Sequence, residues 1–199
     1  MDQKENDPRK QTKVKRNPYW LFGAIAAFFK LGKFGGVIIS MIISIGAYAI
    51  IAPWQFAVGL VLLLFVHEMG HVIAARMKGL PVTSPVFIPF LGALINMKKH
   101  PRDAETEAFI ALGGPLLGSL GAAIVYWIAV KFQSSLFLGS AYAGFFINLL
   151  NLLPIHPLDG GRISSAISRW LWLVGLIGGL VVIIYIQSPL FFIIWILFA

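Results

Sequence analysis

The sequence predicts an all-α polytopic membrane protein, with about five to six transmembrane helices and a short re-entrant or β-like segment. Of its 199 residues, 58% are hydrophobic and only 12% are charged. Soluble domains carry roughly 45–50% apolar and about 25% charged residues, so a soluble fold of this size could not hide so much apolar surface. The apolar residues also gather in runs long enough to cross a bilayer. Lipid is therefore the expected solvent for most of the chain.

Charge and cysteine content exclude several other classes of protein. The formal net charge is +8, which in a soluble chain would raise the question of nucleic-acid binding. In a membrane protein, basic residues instead sort the loops between the two sides of the bilayer. The partner expected from composition is the lipid bilayer, and no nucleic acid. Because the chain has no cysteine, disulfides, thiolate zinc sites and cysteine nucleophiles are excluded.

Three regions follow one another along the chain. Residues 1–18 are polar and basic, and they are predicted to form a disordered cytoplasmic tail that an anionic leaflet attracts. Residues 19–33 are predicted to form an interfacial helix, because the apolar run 21–29 is too short to span. A cleaved signal peptide is the alternative, but lysines stand where a small-residue cleavage site should follow. Residues 34–199 are predicted to be the transmembrane domain.

Five apolar runs in that domain approach the roughly 20 residues that a spanning helix needs. The predicted spans are residues 34–52, 54–76, 107–130, 138–153 and 170–186. A last run, 189–199, is too short to cross unaided and is interpreted as half a helix or as part of a longer chain. Residues 81–97 are apolar but broken by prolines, which defeat a helix, so they are predicted to be extended or re-entrant. Such backbone survives at membrane depth only under protein or in a wet cavity.

Positive charge predicts the orientation in the cell membrane. If the amino terminus is cytoplasmic and the spans alternate, every Lys and Arg except Lys131 lies on the cytoplasmic side. The opposite orientation would place nearly all of them outside. The positive-inside rule therefore predicts a cytoplasmic amino terminus.

The second predicted span contains the sequence His67-Glu68-Met69-Gly70-His71. Four helical residues turn the chain by about 400°, so the two histidines lie on one face. Two imidazoles in that arrangement can bind one zinc ion, and Glu68 can reach a water on the metal. Ionisable residues inside a span are functional by default because they are costly in lipid. The alternative is that the histidines donate to neighbouring backbone carbonyls.

A catalytic zinc commonly takes three protein ligands, so a third must come from elsewhere. Asp159 is favoured, because it follows a broken span and two prolines and precedes a Gly-Gly turn signal. Its charge, together with that of Glu68, would offset Zn²⁺. Asp159 could instead cap a helix that starts near Gly160. The acidic group at 103–107 stands among basic residues, which is typical of a solvated loop. The candidates on the same side are Asp103, Glu105, Glu107, His100, His156 and Asp159, with His156 the chief rival.

These motifs together resemble the site-2 protease family of intramembrane zinc metalloproteases. The resemblance rests on HEMGH in the second span, on GGPLLG at 113–118 and on NLLPIHPLDGGR at 151–162, and it covers roughly residues 54–169. It implies that Zn²⁺ is bound by His67, His71 and Asp159, with Glu68 as the general base. Asn151 would engage the substrate or the oxyanion. The proline-broken stretch 85–97 resembles that family's membrane-dipping loop or hairpin near the site.

The resemblance implies that residues 34–199 form a transmembrane protease domain. Its function would be that of a metalloendopeptidase that cleaves membrane-anchored proteins within or near the membrane, with transmembrane proteins as substrates. The alternative is a non-enzymatic metal-binding membrane protein, either a transporter or an inactive partner-binding relative. A transporter needs polar residues along a path through the bilayer, whereas here they cluster on one side. Gly114 and Gly118 share a helix face and predict close helix packing rather than a catalytic role.

Overall fold

The computed structural model describes residues 35–95, 97 and 101–187. The predicted tail 1–18, the predicted interfacial helix 19–33 and the run 189–199 lie outside the described residues. The described part contains six helices and one two-stranded sheet. In chain order these are α1 Gly35–Ala49, α2 Trp54–Met77, β1 Val86–Ile88, β2 Gly92–Leu94, α3 Ala104–Phe132, α4 Ser135–Asn151, α5 Asp159–Ile167 and α6 Arg169–Ile186.

The predicted spans each coincide with a helix, and the mostly helical fold with a small β segment is confirmed. Within the described ranges, α2 and α3 are long and apolar enough to cross a membrane. Helices α1 and α4 are apolar but shorter. At 1.5 Å per residue, α4 is about 26 Å long, slightly less than a hydrocarbon core of about 30 Å. The number of helices that cross the bilayer remains a prediction.

Large apolar side chains remain exposed on the outside of the helices. Leu62 on α2 is 49% exposed, and Leu116 and Leu120 on α3 are 62% and 56% exposed. In a monomeric soluble protein, such contiguous apolar surface is rare. Here it is the surface that lipid would cover, which is consistent with a membrane protein.

Helices α2 and α3 pack with their backbones in contact. A Cβ atom built on Gly70 would lie 2.1 Å from the Gly113 carbonyl oxygen, and one on Gly113 would lie 2.6 Å from the Gly70 oxygen. No side chain fits at either position without separating the helices. Small residues permit this approach in membrane proteins. The contact brings the HEMGH segment directly against the glycine-rich segment of α3.

The start and end of α3 are set by local hydrogen bonds. Thr106 N–H donates to Asp103 Oδ1 at 2.7 Å, an N-cap that also lowers the pKa of the Asp103 carboxyl. The helix ends at Gln133, whose backbone is left-handed with φ 49°. The prediction that residues 103–107 form a solvated loop is wrong, because they form the cap and first turn of α3. Glu107 there accepts from Arg162 Nε on α5 at 3.1 Å.

The proline-broken segment forms an antiparallel β-hairpin, which confirms the predicted extended structure. Val86 lies opposite Leu94, and Ile88 lies opposite Gly92. Two residues of the hairpin have positive φ, Phe90 in the turn at 64° and Gly92 at the start of β2 at 96°. The side chain of Phe87 points inward and belongs to a core cluster of buried residues from α1, α2 and β1: Val37, Leu60, Val61, Leu64 and Phe87.

Two polar side chains of α1 hold the hairpin. Phe87 N–H donates to Ser40 Oγ at 3.1 Å, and the Ser40 hydroxyl donates to Val37 O at 2.9 Å. Near the turn, Phe90 N–H donates to the Tyr48 hydroxyl at 3.2 Å. The rings of these two residues also meet edge to face, with centroids 5.2 Å apart. The hairpin therefore depends on α1 for hydrogen bonds that its own two strands cannot provide.

Helix α5 begins directly after the turn that follows α4. A Cβ atom on Gly160 would lie 2.1 Å from Leu152 O, and one on Gly161 would lie 2.6 Å from His156 N. The first turn of α5 therefore packs against the backbone of the preceding turn, which only glycine allows. This packing fixes the position of Asp159, the first residue of α5.

Candidate metal centre

Helix α2 places His67 and His71 one turn apart, as their spacing predicts. His67 is only 4% exposed, and His71 is partly buried. The two ring centroids are 4.9 Å apart, and the two Nε2 atoms are 3.2 Å apart. Both Nε2 atoms therefore face the same point in space.

Asp159 reaches that same point from α5. Its Oδ2 atom lies 3.2 Å from Nε2 of His67 and 3.2 Å from Nε2 of His71. The three atoms thus form a triangle with equal sides. Ligand atoms about 2.0–2.1 Å from a tetrahedral zinc ion are about 3.3–3.4 Å apart, so the triangle has the dimensions of a zinc face. Asp159 is the third member of the group, as predicted.

The hydrogen bonds of the two histidines leave the three atoms of the triangle without a proton. His67 Nδ1–H donates to Asn148 Oδ1 at 2.7 Å, and His71 Nδ1–H donates to Ile110 O at 2.9 Å. In a neutral imidazole the other nitrogen then carries a lone pair. Asp159 Oδ2 is buried and has no hydrogen-bond partner among the residues that the structure describes. A proton could join only one pair of these atoms, whereas a divalent cation satisfies all three, so the residues fit a bound zinc ion.

The two alternatives for these residues are resolved by the same contacts. His71 does donate to a backbone carbonyl, but with Nδ1, so its Nε2 remains available to a metal. The interpretation of Asp159 as a helix cap is wrong. The cap of α5 is Leu158, and it makes no side-chain capping hydrogen bond. The carboxylate of Asp159 is directed at the histidines instead.

Glu68 is buried beside the triangle but does not belong to it. The residue is 9% exposed, and its carboxylate interacts electrostatically with His71, His67 and Asp159. Among the described residues, the ligand atoms that converge are those of His67, His71 and Asp159, and Glu68 is not one of this group. This placement suits the role that the resemblance implies, that of a proton acceptor next to the metal.

The glycine-rich segment of α3 lies against the ligands themselves. A Cβ atom on Gly114 would lie 2.2 Å from His71 Nε2 and 2.8 Å from His67 Nε2. One on Gly118 would lie 2.3 Å from Asn148 Oδ1. The predicted close packing is confirmed, and its partners are the imidazole rings and the amide that contacts one of them. That these glycines make room for ligands was not predicted.

Other predicted site residues lie apart from the triangle. Asn151 Nδ2 donates to Ile147 O at 3.1 Å on its own helix, and no hydrogen bond within the described residues joins Asn151 to the three ligands. Its proposed role therefore stays a prediction. His156, the rival ligand, is exposed and does not belong to the group. His100 lies outside the described residues.

Asn148 is the residue that the sequence analysis missed. It lies three positions before Asn151 and is 4% exposed. It contacts His67, as described above. A signal was available, because a buried amide in an apolar span is costly unless it has a partner. The family motif begins at Asn151, so it does not include Asn148.

Comparison with known proteins gives a family match for part of the chain. Residues 55–137 match peptidase family M50. The zinc metalloprotease MJ0392 of Methanocaldococcus jannaschii is 34% identical over 118 residues, which are 54% of this chain and 34% of the relative. Over residues 55–137 the chain is therefore similar to peptidase family M50. The segment matched to the family contains both histidines and the glycines of α3, whereas Asp159 lies beyond it.

Two further comparisons add a second curated relative and a solved structure of similar fold. Stage IV sporulation protein FB of Bacillus subtilis is 30% identical over 108 residues, which are 52% of this chain and 37% of the relative. The solved structure of the site-2 protease from Methanocaldococcus jannaschii shares the fold, with a TM-score of 0.52 and 22% identity. The match covers 79% of this chain and 82% of the chain in that structure. The chain spans only 27% to 37% of the length of the curated relatives.

Proposed function

We propose that this chain is a zinc metalloendopeptidase that cleaves membrane-anchored proteins within or near the bilayer. The observation that carries the proposal is the triangle of two imidazole nitrogens and one carboxylate oxygen, each 3.2 Å from the others. His67, His71 and Asp159 would hold the zinc ion. Three protein ligands leave the fourth position of a tetrahedral site open, as catalytic zinc sites require.

The chemistry needs a Lewis acid and a base side by side. A zinc ion bound by the three residues would supply Lewis acidity, which polarises a carbonyl and makes water nucleophilic near neutral pH. Glu68 accepts the proton of the attacking water and returns it to the leaving amine. Asn151 donates a hydrogen bond to the carbonyl oxygen as it gains charge, which is worth about 2.7–4 kcal/mol.

The position of the centre along α2 favours cleavage inside the membrane. His67 and His71 lie about 15 Å and about 9 Å along the helix axis from the end of α2 at Met77. A substrate bond must therefore enter the bilayer to reach them. The substrate must also unwind there, because a helix hides its carbonyl groups in hydrogen bonds.

The β-hairpin offers a place for the unwound segment. The sheet has two strands, and each uses one edge to pair with the other. The outer edge of each strand takes no part in this pairing. Val86 and Leu94 are 51% and 63% exposed. An extended peptide can add to such an edge through main-chain hydrogen bonds. We place the substrate there, as an added strand.

Substitution of the proposed base tests the proposal. Glu68→Gln should keep zinc and fold but abolish cleavage of a co-expressed single-span substrate, because the amide keeps the size of the side chain and cannot accept the proton. Loss of a general base costs about 10²–10⁴-fold. The measurement is zinc content together with cleavage of one substrate. Glu105→Gln makes the same change on the exposed first turn of α3 and should cut normally.

The outcome separates the two candidate functions. Cleavage at the wild-type rate by Glu68→Gln would remove the peptidase mechanism and leave the transporter or partner-binding alternative. Asn151→Ala, measured in the same assay, should retain zinc and lose about 10²–10³-fold in rate, as expected for one oxyanion donor.

A further inference from the structure

We propose that Asn148 is the positioning residue that sets the tautomer of His67 and so prepares this histidine to bind zinc. The inference rests on the zinc centre of the proposed function, but it does not depend on peptide cleavage. It assigns a role to a side chain of α4 that makes no contact with the metal position itself.

The orientation of the Asn148 amide is fixed by two contacts. Its Nδ2 donates to the Gly144 carbonyl oxygen at 2.9 Å, and its Oδ1 lies 2.7 Å from Nδ1 of His67. If the amide were flipped, its Oδ1 would face the carbonyl oxygen of Gly144, and its NH₂ group would face Nδ1 of His67. The backbone carbonyl of α4 therefore determines that an acceptor, and not a donor, faces the imidazole.

An acceptor at that position dictates where the ring proton lies. His67 must carry its proton on Nδ1 in order to donate to Asn148, so Nε2 presents a lone pair toward His71 and Asp159. Metals bind the unprotonated nitrogen of a neutral imidazole, and the partner of the other nitrogen fixes the tautomer and the ring orientation. Asn148 thus supplies for His67 what the Ile110 carbonyl supplies for His71.

This difference between the two histidines makes the inference testable. The partner of His71 is a backbone carbonyl, which no side-chain substitution removes. The partner of His67 is a side chain, so its contribution can be removed by mutation. The small pocket beside this contact is lined by His67, Asn148 and otherwise apolar residues: Leu63, Leu64, Gly144 and Ile147. No other polar side chain in that lining can replace Asn148 as the acceptor.

Gly118 is an independent part of the same arrangement. A Cβ atom there would lie 2.3 Å from Asn148 Oδ1 and 2.9 Å from its Nδ2. The absent side chain is what leaves room for the amide beside α3. A methyl group at this position would push the amide away from His67 without changing Asn148 or any ligand.

The experiment measures zinc affinity, by competition with a chelator, on the purified full-length protein in detergent. Asn148→Leu fills the space but offers no acceptor, and we expect a loss of about 10–100-fold. Asn148→Asp keeps an acceptor for His67 Nδ1 but loses the donor to Gly144 O, so it should retain more of the zinc affinity than Asn148→Leu does, because a carboxylate is a common outer partner of zinc-bound histidine. Ser140→Ala is the control. It removes another buried polar side chain of α4, about two turns away, whose hydroxyl donates to Leu136 O of its own helix, and it should keep wild-type affinity.

Two results would overturn the inference. One is wild-type zinc affinity in Asn148→Leu, and the other is an equal loss in Asn148→Asp, which would indicate packing alone. If Asn148→Leu does not fold, Gly118→Ala decides, because a folded variant with weaker zinc binding supports the inference and one with unchanged binding contradicts it. A wild-type protein that binds zinc but cuts no substrate would end the proposed function and leave the role of Asn148 intact.

Discussion

Two neighbouring residues, His156 and Asp159, show how position rather than chemistry selects a metal ligand. Both are good zinc ligands and they lie three residues apart. Asp159 is 7% exposed and reaches both histidines, whereas His156 is exposed. The close packing of Gly160 and Gly161 against the preceding turn holds Asp159 toward α2.

This difference gives a prediction for zinc content. The wild-type protein should carry about one zinc ion per chain, with three protein ligands. Asp159→Ala should lose most of the metal, because two imidazoles alone hold zinc weakly. His156→Ala should keep it. Metal analysis of the purified proteins is the measurement, and the reverse pattern would mean that the third ligand is His156.

At the same scale, the sequence predicted the ligands but not their supports. The i, i+4 spacing of His67 and His71 and the Asp-Gly-Gly turn are local patterns, so they can be recognised without a structure. Asn148 and Asn151 lie three residues apart on α4, so their side chains are only about 60° apart around its axis, and which of them faces His67 depends on the rotation of α4 about that axis. That rotation is set by packing against other helices, which a single sequence does not reveal.

Among the elements, the β-hairpin depends most on a partner. Its prolines predicted extended backbone, but they did not predict the register. The register depends on positive φ at Phe90 and Gly92, and on hydrogen bonds from the hairpin to Ser40 and Tyr48 of α1. A positive φ is unusual for phenylalanine, so no sequence rule would have placed the turn there.

Two serines of α1 allow a matched test of this attachment. Ser40→Ala removes the acceptor for Phe87 N–H and leaves a buried donor unsatisfied, which costs about 1–3 kcal/mol. Ser44, one turn away, is also buried, but within the described part of the chain its hydroxyl has no hydrogen-bond partner. Ser44→Ala should therefore be neutral or stabilising.

Hydrogen exchange at the Phe87 amide and thermal unfolding in detergent would measure both serine variants. We expect faster exchange and a lower Tm for Ser40→Ala alone. Equal effects of the two substitutions would show that the Ser40 hydroxyl does not hold the hairpin.

For the whole molecule, α3 is long enough to separate Lys131 from the other basic residues, which are predicted to lie on the cytoplasmic side. The helix has 29 residues and is about 43 Å long, more than a hydrocarbon core of about 30 Å. Its ends must lie on opposite sides if it spans. Lys131 lies near the carboxyl end, with its ammonium group 5.1 Å from the Trp127 ring. The helices were well predicted because apolar runs can be recognised from composition alone, whereas the contact of α2 with α3 at Gly70 and Gly113 required the structure.

The predicted orientation can be tested by cysteine labelling, because the chain has no native cysteine. With a cytoplasmic amino terminus, an impermeant thiol reagent applied to intact cells should label Lys131→Cys but not Lys10→Cys. After permeabilisation it should label both. The reason is that the positive charge is retained on the cytoplasmic side. Labelling of Lys10→Cys in intact cells would show that the orientation is the reverse of the predicted one.

The triangle of ligand atoms also has a mechanical consequence, because it joins parts of the chain that are far apart in sequence. His67 lies on α2 and Asp159 on α5, so a bound ion closes a loop of about 90 residues between them. The ion binds only the folded arrangement, so at a concentration 1,000 times its Kd it adds about 4.1 kcal/mol to the free energy of unfolding. A zinc ion held by His67, His71 and Asp159 would thus also act as a removable cross-link. A chelator that removed the ion would loosen α5 from α2 before either helix unfolded.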